Sequence, residues 1–250
     1  MKKRYLLIVL SVAAVAVAAI GGTMAAKSDE NVSITADISE KTVGVKANKT
    51  NIGSLPVVPG AEREVKYSVL NDAGKLNGTN SDNGGYDIYA RVDVNFEWEQ
   101  SEDYKQKYGT IDSKEDYVTL YINTGTENNP NYVTIPKNES QDGVYISSDA
   151  QQTRIGDWII TYYSNDQLTM YYTKPIENES VSSEFLSRIS YDTAMDNKYE
   201  EAKYDISAEV SAIQADSAED AFATEWGVYP VFKDNGNGVL MLESVSENAR

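Results

Sequence analysis

The sequence predicts an all-β, antiparallel sandwich with one short helix near its end, behind a cleaved signal peptide. Three observations carry this. Tyr86 to Trp98 alternates strictly, with Tyr86, Ile88, Ala90, Val92, Val94, Phe96 and Trp98 apolar or aromatic against Asp87, Tyr89, Arg91, Asp93, Asn95 and Glu97. Thirteen residues of period two are a half-buried antiparallel strand. Tyr204, Ile206, Ala208, Val210 and Ala212 repeat the pattern between Asp205, Ser207, Glu209 and Ser211. The composition agrees: 18 Tyr, with few Leu or Ala runs beyond the first segment, is strand chemistry.

Taken in order, Lys2, Lys3 and Arg4 form a basic start to an apolar run from Leu6 to Ile20, followed by Gly21-Gly22-Thr23-Met24 and then Ala25 and Ala26. The run is roughly 22 Å long as a helix, short of a bilayer core of about 30 Å. Residues 1–25 therefore read as a cleaved export signal, with the cut near Ala25/Ala26, and 26–250 as one domain without a stable membrane anchor. Next, Val32, Ile34, Ala36 and Ile38 alternate with Ser33, Thr35 and Asp37, a strand over 31–38 that is apolar on one side. Alternation alone does not tell pairing within the chain from pairing with a neighbour. Val65, Tyr67 and Val69 predict a strand after the Pro59-Gly60 turn.

Shorter strands are expected at Tyr117–Ile122, Tyr132–Ile135, Val144–Ser147 and Phe185–Ser190, and a hairpin of Trp158–Tyr163 and Leu168–Thr173 around residues 164–167. The polar stretches 71–85, 99–116, 124–131 and 177–183 read as loops. Ser217 to Trp226 predicts the helix: Ser217 as N-cap, Asp220 three residues on, Gly227 as left-handed stop, and Ala218, Ala221, Phe222 and Trp226 on one face packed as a cap on the sandwich. Val228–Phe232 and Val239–Leu242 flank Asp234-Asn235-Gly236-Asn237-Gly238 as a closing hairpin.

Charge and missing residue types narrow the function. With no His and no Cys among 250 residues, imidazole-dependent hydrolases, HExxH zinc proteases, thiol nucleophiles and disulfides are excluded. The net charge of −17 becomes −20 once the three basic residues of the signal are removed, a surface that repels nucleic acid. Oxygen ligands suit calcium, and Asp72, Asp82 and Asp87, with Asn77, Asn80 and Asn83, crowd the Gly-rich segment before the long strand. They do not follow EF-hand spacing, and Asx and Gly equally serve ordinary turns, so the segment is read as a loop that holds these three calcium candidates. No other cofactor or metal is expected. Tyr162-Tyr163 and Tyr171-Tyr172 lie on strands, so each pair is expected to set one ring in the core and one outside. With 39 acidic residues, no carboxylate pair singles itself out for glycoside hydrolysis.

Four segments resemble the TasA/camelysin family of Gram-positive exported proteins: the signal KKRYLLIVLSVAAVAVAAIGGTMA, the segment LPVVPGAEREVKYSVLN (Leu55–Asn71), the long strand Tyr86–Trp98, and YDISAEVSAIQADSAEDAFATEW (Tyr204–Trp226). Together they cover about half the chain. It departs at the new N-terminus, where the family shows an aromatic and Thr-Asp and this chain has Ala26-Lys27-Ser28-Asp29-Glu30; Ser101–Ser183 matches nothing in the family. The resemblance implies a jelly-roll-like β-sandwich, secreted to the cell surface or biofilm matrix. It would be non-enzymatic and self-associating head to tail into fibres, alone or with other matrix proteins, the N-terminal strand of one subunit completing a sheet of the next. Val32, Ile34, Ala36 and Ile38 are the donor residues on that reading, since a donated strand gains ladder bonds and side-chain pockets together. The alternatives are a monomeric extracellular module for calcium or polysaccharide, and a carboxylate-dependent surface hydrolase or camelysin-like protease. All-carboxylate ligation is uncommon for zinc, which tells against the protease.

Overall fold

The computed structural model describes residues 57–71, 86–112, 117–137, 153–164 and 166–246, together with the backbone of three strands at 26–28, 33–38 and 41–49. In chain order the elements are β1 (Ala26–Ser28), β2 (Ser33–Ile38), β3 (Lys41–Lys49), β4 (Glu62–Asn71), β5 (Ile88–Glu99), helix α1 (Glu102–Tyr108), β6 (Val118–Asn123), β7 (Tyr132–Thr134), β8 (Thr153–Ile155), β9 (Trp158–Tyr163), β10 (Gln167–Tyr172) and β11 (Leu186–Tyr191). There follow a 3-10 turn at Asn197–Tyr199, β12 (Lys203–Gln214), a 3-10 turn at Ala215–Ser217, helix α2 (Ala218–Trp226), β13 (Tyr229–Asp234) and β14 (Leu240–Ser246).

The two longest alternating segments are partners. β5 and β12 pair antiparallel over their whole length, from Ile88 opposite Gln214 to Glu99 opposite Lys203. Around them the first sheet runs β1-β12-β5-β10-β9-β8, and the second runs β2-β3-β4-β11-β6-β7. Every pairing in both is antiparallel. The expected sandwich is what forms, with a third, two-stranded sheet of β13 and β14 added.

Alternation decides the core. Ala90, Val92, Val94 and Phe96 of β5 and Ala208, Val210 and Ala212 of β12 face Val65, Tyr67 and Val69 of β4, Leu120 and Ile122 of β6 and Ile189 of β11 in one apolar cluster. Each fully buried Val or Leu there contributes about 1.5–3 kcal/mol. A second cluster forms on the outer face of the first sheet, where Tyr89, Ile159, Tyr171 and Ile213 meet Phe222 and Trp226 of α2 and Leu242 and Val245 of β14. The helix is thus the predicted cap. Gly227 stops it at φ 66°, but Ser217 makes no side-chain capping bond, because the 3-10 turn before it leads the backbone into α2 with Ala218 N–H on Ala215 O.

Three readings need correction. Residues 99–116 are not all loop: Glu102–Tyr108 is helical, with none of its residues buried. It carries no apolar stripe to betray it, and Glu102 and Asp103 at its start with Lys105 and Lys107 at its end suit the helix dipole. Tyr171 is not outside, since α2 covers it; only Tyr162 of the two outward rings is partly exposed. Strands β1, β3 and β8 are additional to those expected. The expected strand at 144–147 and the signal segment 1–25 lie outside the described residues.

Candidate functional site

The N-terminal strands occupy an edge of each sheet. β1 lies beside β12, with Ala26, at the expected cleavage point, opposite Val210, Lys27 opposite Glu209 and Ser28 opposite Ala208. β2 forms the outer edge of the second sheet and pairs with β3 of its own chain, setting Ile34 opposite Val45, Ala36 opposite Val43 and Ile38 opposite Lys41. β3 in turn pairs with β4, from Val45 opposite Asn71 to Lys49 opposite Tyr67. Val32 and Ala25 lie outside the described residues. Of the calcium candidates, Asp87 is an exposed residue whose carbonyl accepts from Ala215 N–H at 2.8 Å, while Asp72 and Asp82 lie outside the described residues. Among the described residues no group of three or more acidic side chains stands close enough to hold a metal.

One residue fixes where the segment 72–85 leaves and rejoins the sandwich. Asn71 is fully buried at the end of β4, and its Nδ2 donates to Tyr86 O at 2.6 Å and Ile176 O at 2.9 Å. Its backbone N–H donates to Ser180 O and its carbonyl accepts from Glu179 N–H.

The outer face of the first sheet is divided. α2 covers one half; the other is a polar basin of about 300 Å³ lined by Arg91, Asp93 and Asn95 of β5, Gln167 of β10, Glu209 and Ser211 of β12, and Glu225 and Trp226 of α2. Strand register assembles it: Ser211, Arg91 and Tyr171 form one cross-strand row, and Glu209, Asp93 and Thr169 the next. Arg91 grips Asp93 with two nitrogens, Nε to Oδ2 at 2.9 Å and Nη2 to Oδ1 at 3.0 Å, and lies 5.8 Å from the Tyr171 ring centre. Thr169 Oγ1 donates to Asp93 Oδ1 at 2.6 Å. Burial pulls the Arg91 guanidinium down, but Tyr171, Asp93 and Glu209 outweigh it and hold its pKa above the ordinary value. At the rim, Glu225 Oε1 and the Trp226 indole N–H are buried without hydrogen-bond partners. With three carboxylates to one guanidinium, the basin suits a polar ligand rich in donors.

Nothing in a single strand announces this basin. Setting the two longest strands in register would have aligned Arg91 and Asp93 with Ser211 and Glu209; the contributions of β10 and α2 lie too far along the chain to be read that way. In comparisons with known proteins, no family model, no curated protein and no solved structure matches the chain.

Proposed function

We propose that the chain is an exported, non-enzymatic structural subunit of the cell surface or biofilm matrix of a Gram-positive bacterium, resembling the TasA/camelysin proteins, and that it assembles into fibres by passing its N-terminal strands to a neighbour. The observation that carries this reading is that β1 and β2 are edge strands and β3 lies next to the edge, between β2 and β4. All three can leave without parting any two strands that remain, because β1 pairs only with β12 and β3 joins the rest only through β4. What is left is β12-β5-β10-β9-β8 and β4-β11-β6-β7, each still a continuous ladder. A neighbour's copy of the same strands then fits the vacated edges, and such a head-to-tail contact propagates instead of closing. Acidic charge keeps the free subunit soluble.

Electron microscopy with size-exclusion on protein beginning at Lys27, beside protein beginning at Glu40, tests this. Filaments from the longer form that are lost in the shorter, still folded form are the expected result. Monomers from both across concentration, pH and added calcium refute it. The polar basin supports a second reading, a monomeric polysaccharide-binding module. Retention on a glycan column that Glu225→Gln abolishes, with no assembly, would favour it.

A further inference from the structure

The chain holds four Asn-Gly dipeptides, at 77–78, 83–84, 235–236 and 237–238. Asn-Gly is the least durable dipeptide in water. The glycine amide nitrogen, once it gives up its proton, attacks the Asn side-chain Cγ; a C–N bond closes a succinimide and ammonia departs with the proton. Water then opens the ring at either carbonyl, leaving aspartate or isoaspartate. Glycine permits this because no Cβ hinders the approach. Two of the four dipeptides stand side by side at the tip of the β13–β14 hairpin, where residues 233–240 are all exposed and water reaches them.

The turn requires its glycines. Gly236 and Gly238 have φ of 89° and 77°, a region that other residues enter only with strain. Hairpin geometry therefore selects a sequence prone to chemical decay. Asp234 opposes that decay. Its Oδ1 accepts from Gly236 N–H at 2.8 Å and from Gly238 N–H at 3.1 Å, so one carboxylate oxygen holds both attacking nitrogens. A hydrogen bond to a full negative charge makes each amide harder to deprotonate and directs its nitrogen away from the neighbouring side chain. The Asn235 side chain is also occupied, since its Oδ1 accepts from Asn237 N–H at 2.9 Å. The electrophile at 235 is thereby turned toward residue 237.

We infer that Asp234 is a built-in guard against deamidation, protecting Asn235 and Asn237 together, and that the hairpin tip becomes a modification site once that guard is removed. This inference does not depend on the assembly reading. At Asn235 the side-chain oxygen also accepts from Asn237 N–H, whereas at Asn237 the hydrogen bond to Asp234 restrains the attacking Gly238 nitrogen, so Asn237 is the first to react when Asp234 is lost. Conversion to isoaspartate lengthens the backbone at the tip and breaks the pairing that continues into Leu240.

The test is peptide mapping by mass spectrometry of the full chain during incubation at mildly alkaline pH, for wild type, Asp234→Ala and Asp234→Asn. Beside them run a synthetic peptide of residues 229–246 and the variant Phe232→Ala, which loosens the hairpin with Asp234 in place. Wild type is expected to keep both amides while the peptide loses them. Asp234→Ala should raise the rate at both sites about ten- to a hundredfold, the factor set by a charge-assisted hydrogen bond. Asp234→Asn, which keeps a neutral acceptor, should fall between. The inference is overturned by any of three results: wild type reacting as fast as the peptide, Asp234→Ala reacting no faster than wild type, or Phe232→Ala accelerating both sites as much as Asp234→Ala at equal hydrogen-exchange protection of the hairpin.

Discussion

Replacing Asn71 probes the point where the chain leaves and re-enters the sandwich. Its Nδ2 is a single buried donor group shared by two carbonyls, Tyr86 O and Ile176 O. In Asn71→Ala both bonds go, at about 1–1.5 kcal/mol each, and a small cavity opens at a site with no exposed surface. Ile176 O keeps the Ile88 N–H at 3.1 Å, which limits the loss on that side. The total expected is about 2–4 kcal/mol.

Asn71→Asp is nearly isosteric and separates hydrogen bonding from shape. Ionised, it sets carboxylate oxygen against two carbonyl oxygens and buries a charge, so burial raises its folded pKa above the unfolded value of about 3.9. A raised carboxyl pKa gives stability that is fully present below the unfolded pKa and is lost as pH rises through the folded pKa. The protonated acid can donate one of the two bonds, so Asn71→Asp should approach or exceed Asn71→Ala near pH 4 and fall below it by pH 7. Each unit by which the pKa is raised adds about 1.4 kcal/mol to that swing. Urea unfolding followed by Trp fluorescence at both pH values measures it, and subtracting Asn71→Ala cancels the pH response common to both variants. A flat difference between them, or a cost of Asn71→Ala below about 1 kcal/mol, refutes the assigned role of these two bonds.

Three further outcomes follow from particular contacts. Lys66 lies in β4 at φ 53°, where three steps from Tyr67 to Glu64 face two from Leu186 to Arg188, so the strand carries an extra residue in a left-handed conformation. Relief of about 1–2 kcal/mol should therefore make Lys66→Gly more stable than Lys66→Val in thermal unfolding, reversing the usual strand order. The Tyr89 hydroxyl donates to Leu240 O, and burial pushes its pKa up to about 12, as it does for Tyr191 against the opposing charge of Arg63. Stability held below pH 10 should be lost as pH rises toward 12, and Tyr89→Phe should remove part of that loss while raising hydrogen exchange in β14. Because Lys27 stands opposite Glu209, Lys27→Glu and Glu209→Lys should each impair filament formation alone, and an equimolar mixture should restore it if the strand is exchanged. No rescue on mixing means the strand stays in its own chain.

What was legible in the sequence follows from the range of the signal. Period two fixes which residues of β5 and β12 point inward, and the hairpins β9–β10 and β13–β14 are local, so both appear in a one-dimensional reading. Ala218, Ala221, Phe222 and Trp226 mark α2 by spacing. Helix α1 escapes because none of its residues is buried and the contacts within it, a Lys105–Glu102 ion pair at 2.7 Å and the Tyr104–Tyr108 ring pair, leave no apolar stripe in the sequence. β8 escapes because Thr153–Ile155 is too short for a period. The pair Tyr171-Tyr172 is expected to leave one ring outside and leaves none: Tyr171 lies on the outer face, but its cover, Phe222 and Trp226, arrives some fifty residues later. Asn71 shows the same limit, since its partners are brought together only by the packing of both sheets.

The distribution of edges gives the assembly reading a direction. Edge strands are hazards, and short ones are the usual defence. β7 and β8, at the far edges of the two sheets, have three residues each. At the other end, withdrawing β1, β2 and β3 would uncover β12 and β4, with twelve and ten residues. Those long edges alternate apolar residues toward the main core, so a strand added there buries side chains as well as completing a ladder, and a strand added at β7 or β8 gains about three residues of either. The N-terminal strands pair with three residues of β12 and five of β4 and leave room to extend along both edges, and each cross-strand pair contributes roughly 0.2–1 kcal/mol. Growth would therefore be polar, through the N-terminal edges and not the blunt ones. A hydrogen-exchange map of filaments checks this directly. Protection of β12 and β4 should be kept, supplied now by the neighbour's strands in place of the chain's own, and β7 and β8 should stay as they are in the monomer; protection gained at β7 or β8 would place the contact on the wrong side of both sheets.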